Sequence, residues 1–426
     1  MKSVFYLQSR LLLGSFNLFG IALLTFGNSG NVLAQNGSDL ISTVISDDGT
    51  IQPASDVNRL KRGPWGDLEY SYIYLEAPDA LMDLVPIPSQ QTVWAFPDAN
   101  LETVTSLFAG LGLSDTLLNE LKEKSVWHIS ATEVRVHPNP RVVEELPIGA
   151  RLKIYQVLRR YDENPFHRNP TIIASGDVQG WFESSGISQK MIAAIDHLTY
   201  PYGTSLAFSD LPFLLSLATS EKEERDLRKA ITRTRTLILR MRVDEKTDFE
   251  AISSYWTAGF KYKDVLPLLE SIERTKGVER IDIAHLLPPL PRRLLYTFPT
   301  VTMGMTGQFP DSFWTCLNFF EFTPKERYLR SDEVEAEISK NFTRVAPPYR
   351  YGDLLIMIDP TSRQAVHSSI YLADDIIYTK KRSGLLSPWV LMRLPDLVTS
   401  LASDQPPVFE GWRHRDAVAS TPVNSR

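Results

Sequence analysis

One cysteine, Cys316, occurs in 426 residues. A single thiol cannot close a disulfide within its own chain, which excludes the stapled architecture of many small exported domains. Positive charge is also in deficit: 45 Lys and Arg face 51 Asp and Glu, a formal net charge of −6. Such a chain is a poor partner for nucleic acid or an anionic membrane surface. Metal-ligand spacing is missing too. His128, His137, His167, His197 and His285 lie far apart, with no H-x-x-x-H and no paired-carboxylate site among them, so neither a metal nor an organic cofactor is implied. Each of these histidines reads as a surface or packed residue. There is no internal repeat and no low-complexity tract.

What is present begins with an export signal. Lys2 and Arg10 precede an uncharged stretch from Leu11 to Ser38, apolar over Leu11–Phe26 and ending in VLA at Ala34, the three-part pattern of a secretory signal peptide over residues 1–34. Gly14, Asn17 and Gly20 interrupt the apolar centre, which is shorter than the roughly 20 residues needed to span a bilayer. The expected location is therefore periplasmic or extracellular, without stable membrane insertion after cleavage. Loss of the segment removes two positive charges and no negative ones, making the mature chain more acidic. An unpaired thiol in an exported protein is then a buried filler, an intermolecular bridge or a reactive nucleophile.

Residues 35–65 are polar and rich in turn formers, which predicts a flexible lead. Beyond it, YSYIYL and QTVWAF are strand candidates, and the apolar spacing of Leu101–Lys122 predicts a helix. Further helices are expected at Gly149–Arg160, Ser188–His197, Asp210–Ala218, Glu221–Arg233, Phe249–Ala258 and Val265–Glu273, with a strand at Thr236–Val243. Ser220 and Glu223 form the S-x-x-E pair of a helix start. The stretch LLPPLP at Leu286–Pro291 suggests a domain boundary near Arg292–Tyr296. Residues 66–295 read as a mainly helical region of unassigned role, 296–412 as an α+β domain and 413–426 as a flexible tail.

Chemistry concentrates after Tyr296. A loop rich in Gly, Thr and Pro ends in the apolar run that starts at Cys316, which predicts that the cysteine opens a helix. Thiolate is stabilised at such a position. Downstream, YRYGDLLIMIDPTSRQAVHSSIYLADDIIYTKK parses as strands Asp353–Ile358, Ala365–Leu372 and Ile376–Lys380. His367, Ser369 and Tyr371 share one face of the middle strand by period-two alternation. A histidine on a strand beside a thiol on a helix is the arrangement of a Cys-His hydrolase.

These motifs, a cysteine opening an apolar helix, G-D-L-L before a strand and H-x-x-I-Y-L-x-D-D-x-I on a hairpin, resemble the NlpC-type cell-wall cysteine peptidases. The likeness covers about residues 296–397. It implies a papain-like core that hydrolyses amide bonds in peptidoglycan stem peptides. It also implies Cys316 as nucleophile, His367 as base, Thr379 as the residue orienting the imidazole, and Tyr296 as an aid to oxyanion binding. The chain departs from the pattern at Thr315, where the family has aspartate, and at Thr379, where a histidine or another strongly polar residue is usual. The same core serves amidases and acyltransferases, and a chain that kept the fold without the activity would be an exported binding or scaffold protein.

Overall fold

The computed structural model describes residues 57–419 apart from 124–125, 204, 259–261, 306 and 402–405. The expected signal segment and most of the lead lie outside them. Among the described residues no helix is long and apolar enough to cross a membrane. The fold is mixed α+β with antiparallel sheets.

Near the C-terminus stands a six-stranded antiparallel sheet, ordered Phe342–Val345, Val408–His414, Leu354–Ile358, Ala365–Ala373, Ile376–Lys380, Trp389–Arg393. The three expected strands are its centre. Its four strands from Leu354 to Arg393 are buried on both sides, and each face packs into its own core. Ile356, Ile370, Leu372, Tyr378 and Trp389 join Trp314, Cys316 and Phe319 on one side. Leu355, Tyr371, Ile377, Val390 and Met392 join Leu75 and Leu397 on the other. Alternation along each strand sends successive side chains to opposite cores.

Local chemistry explains the ends of these strands. Gly352 takes φ +87°, and a Cβ there would collide with the Phe320 ring, so the glycine of G-D-L-L lets the chain enter the sheet against an aromatic side chain. Asp353, buried beside it, accepts two hydrogen bonds from Arg413 at 2.7 Å each and one from the Arg350 main-chain N–H at 2.7 Å. Removing either partner of such a buried ion pair costs about 3–5 kcal/mol. The predicted tail is therefore corrected: residues 413–414 finish a strand, and Arg415–Ala419 form a short helix.

The expected boundary near residue 295 is also revised. Strand Asp67–Leu75 pairs antiparallel with Thr234–Arg242 along nine residues, from Asp67 opposite Arg242 to Leu75 opposite Thr234. Leu68, Tyr70, Leu237, Leu239 and Met241 belong to the same core as Trp314 and Ile370. The C-terminal core thus extends across both strands, and the stretch between them carries a core of its own, built from Trp94, Phe108, Ile154, Phe182, Ile195 and Leu214 among others. This insertion is not only helical. It holds two three-stranded sheets, one of Trp94–Pro97, Glu133–Val136 and Trp127–Ile129, the other of Thr171–Ile173, Ser205–Phe208 and Tyr200–Tyr202. The helix expected over Leu101–Lys122 is two, Leu101–Ala109 and Asp115–Lys122, because Gly112 at φ +72° breaks the run and Ser114 caps the second.

Residues 57–65 are not a free lead. Asn58–Arg59 pairs with Tyr70 and Glu69, and the Lys61 main-chain N–H donates to Asp374 at 3.1 Å.

Candidate functional site

The helix that carries Cys316 is short, Ser312–Leu317, and starts earlier than its apolar character suggests. Asp311 caps it, its carboxylate accepting from the Trp314 N–H at 2.8 Å. Cys316 is therefore the fifth of six residues and not the first. The signal that sequence reading passed over was the capping aspartate itself. Thr315 is also structural: its hydroxyl donates to the Asp311 carbonyl at 2.7 Å and accepts from the Trp389 indole N–H at 2.9 Å.

This placement changes the chemistry of the thiol. Cys316 is buried. Burial pushes its pKa far above the ordinary thiol range, against a smaller opposing effect from the Ser368 side chain beside it. The Asp311 carboxylate raises it further. A thiol so placed stays protonated near neutral pH and behaves as a small apolar filler.

His367 and Thr379 are brought together. The imidazole Nε2 lies 2.9 Å from the Thr379 Oγ1, and that hydroxyl donates to the Ser368 carbonyl at 2.9 Å. A threonine hydroxyl has one proton. With that proton given to the carbonyl, Thr379 must accept from His367, so the imidazole carries its hydrogen on Nε2 and presents a bare lone pair at Nδ1. His367 is 3% exposed, and burial, aided by the Lys381 charge, lowers its pKa to about 3. The ring is neutral at physiological pH.

His367 and Cys316 are not brought together on one face. The side chain beside the thiol is Ser368, the residue next to His367, and neighbours on a strand point to opposite faces. Across the sheet, Tyr378 and Trp389 share the core of Cys316 while Val390, opposite Thr379, lies in the other. The His367–Thr379 pair belongs to that other face. The expected oxyanion role of Tyr296 meets a similar obstacle. Its hydroxyl donates to the Leu237 carbonyl at 2.7 Å and its N–H to the Trp389 carbonyl at 2.8 Å, so the residue ties the strand Thr234–Arg242 to the edge of the six-stranded sheet.

Lys380, next to Thr379, is wholly buried and donates to the carbonyls of Arg382 and Gly384 at 2.6 and 3.1 Å. Burial lowers its pKa to about 7, partly opposed by the Asp311 charge. Its bonds fix the loop that follows the strand. Among the described residues no group of His, Cys, Asp and Glu could hold a metal ion. Two surface concavities, one around Asp177, Gln189 and Asp196 and one around Arg62, Asp67 and Asp248, are lined by neither His367 nor Cys316.

No family model, curated protein or solved structure gives a significant match to this chain.

Proposed function

We propose that the chain is an exported hydrolase of amide bonds, with a divergent papain-like core in which His367 is the base and Thr379 orients it. One observation carries the reading: the bond from His367 Nε2 through the Thr379 hydroxyl to the Ser368 carbonyl. It fixes ring orientation and tautomer together, which packing alone does not require. A neutral imidazole with Nδ1 bare can take a proton from a nucleophile and return it to a leaving amine. Peptidoglycan stem peptides are the substrate class that the family resemblance supplies. Cys316 is not part of this reading, since its thiol is buried, protonated and on the opposite face.

A second reading, an exported binding protein on the same fold, is favoured by two surface concavities that lie away from His367. Incubation of the mature protein with purified muropeptides separates the two. The hydrolase reading expects cleavage by the wild type and none by His367→Gln. Intact muropeptides after exposure to the folded wild-type protein would leave the binding reading.

A further inference from the structure

We infer that Ser312 is the nucleophile served by His367, an inference that rests on the hydrolase reading above. The Ser312 Oγ accepts from the Ser368 main-chain N–H at 3.1 Å. Thr379 holds the other main-chain group of the same residue, the Ser368 carbonyl. In an antiparallel strand the N–H and C=O of one residue point the same way, within the plane of the sheet. Ser312 Oγ and Thr379 Oγ1 therefore flank the same edge of residue 368. Two side chains can reach that edge because the neighbouring strand has left the ladder there: the last paired residues in this direction are Ile370 and Tyr378. The Ser312 hydroxyl thus lies at the strand's flank, next to the peptide that joins His367 to Ser368, in a residue that is itself buried.

The unused bonding capacities of the two side chains are complementary. Ser312 has accepted one bond, but its own proton has no acceptor among the described residues. His367 has donated from Nε2, and its Nδ1 has no donor among them. An idle donor and an idle acceptor thus sit on side chains anchored at adjacent points of one strand. Cys316, four residues along the same helix, has neither this partner nor this position.

In the reaction, Ser312 Oγ attacks the carbonyl carbon of the substrate as its proton passes to His367 Nδ1. The C–N bond then breaks, and the imidazolium gives that proton to the departing nitrogen. Water, deprotonated by the same ring, hydrolyses the ester and restores the serine hydroxyl.

A fluorophosphonate probe tests this on the full mature chain, because a serine oxygen displaces fluoride from phosphorus and remains bonded. The adduct is expected on Ser312 by peptide mapping, absent in Ser312→Ala and His367→Gln, and undiminished in Cys316→Ala. Muropeptide kcat/KM should fall more than about a thousandfold in Ser312→Ala. A second variant keeps a nucleophile in place: Ser312→Cys, made in the Cys316→Ala background, should react with iodoacetamide at pH 6 faster than free glutathione does, because the imidazole takes the thiol proton. Cleavage that survives in Ser312→Ala and is lost in Cys316→Ala overturns the inference and leaves the hydrolase reading standing. No cleavage and no labelling in folded wild-type protein overturn both.

Discussion

Two histidines, one in each core region, are buried alike and held differently. His167 in the insertion is 5% exposed and His367 in the sheet 3%, and burial lowers both imidazoles to about 3. His167 packs its ring edge-on against Tyr155 at 4.5 Å, and its Nε2 has no hydrogen-bond partner among the described residues. His367 donates from Nε2 to a hydroxyl that is itself fixed to a carbonyl. The same loss of basicity thus arises in unlike surroundings. The shift records burial, and only the bonding partner separates an aimed imidazole from a packed one.

The largest expected effect breaks the comparison at the level of activity. His367→Gln should lower muropeptide turnover by about 10²- to 10⁴-fold, while His167→Gln should leave turnover unchanged and cost about 1–3 kcal/mol of stability by urea unfolding. Next is Thr379→Val, which keeps the shape and removes the hydroxyl. Loss of a hydrogen bond to a ring that becomes charged during turnover is worth about 1.5–3 kcal/mol, so turnover should drop about 10- to 100-fold in a protein that still folds, though the two buried groups left without a partner lower its stability by about 1–3 kcal/mol each. An equal loss of activity and folding would make Thr379 a packing residue only.

Acid sharpens the same contrast. Both imidazoles are neutral in the folded chain and titrate near 6.5 once it unfolds. The unfolded state therefore binds more protons between these values, and the stability these rings contribute is complete above pH 6.5 and lost as the pH falls towards about 3. Asp210, buried in the insertion and hydrogen-bonded to Tyr155 at 2.5 Å, has the opposite sign. Burial raises its pKa to about 6, so its contribution is present below about 3.9 and lost as the pH rises through the folded value. Thermal melts from pH 7 to pH 4 should show a falling melting temperature, less steep in either His→Gln variant and steeper in Asp210→Asn. The smallest effect is expected at Cys316: alanine should cost about 1 kcal/mol and leave turnover intact.

What the sequence made legible followed from local pattern. The strands around His367 could be read because a period-two apolar pattern with Val366 and Ile370 runs between the turns at Asp359–Ser362 and Ala373–Asp375, while Thr379 was named only through the family resemblance. The start of the cysteine helix was misplaced because Phe313, Trp314, Leu317 and Phe319 form one apolar run whose phase does not show where the helix begins; Asp311 does. The pairing of Asp67–Leu75 with Thr234–Arg242 had no local signal at all. The two strands are separated by an entire second core, and only their tertiary contact reveals that the intervening residues are an insertion.

The division of labour between His367 and Cys316 is tested most directly by muropeptide turnover of Cys316→Ala beside His367→Gln, both confirmed as folded by thermal melting. The account predicts wild-type turnover in the first and loss of turnover in the second. Loss of turnover in a folded Cys316→Ala protein would contradict it and return the thiol to the centre of the chemistry.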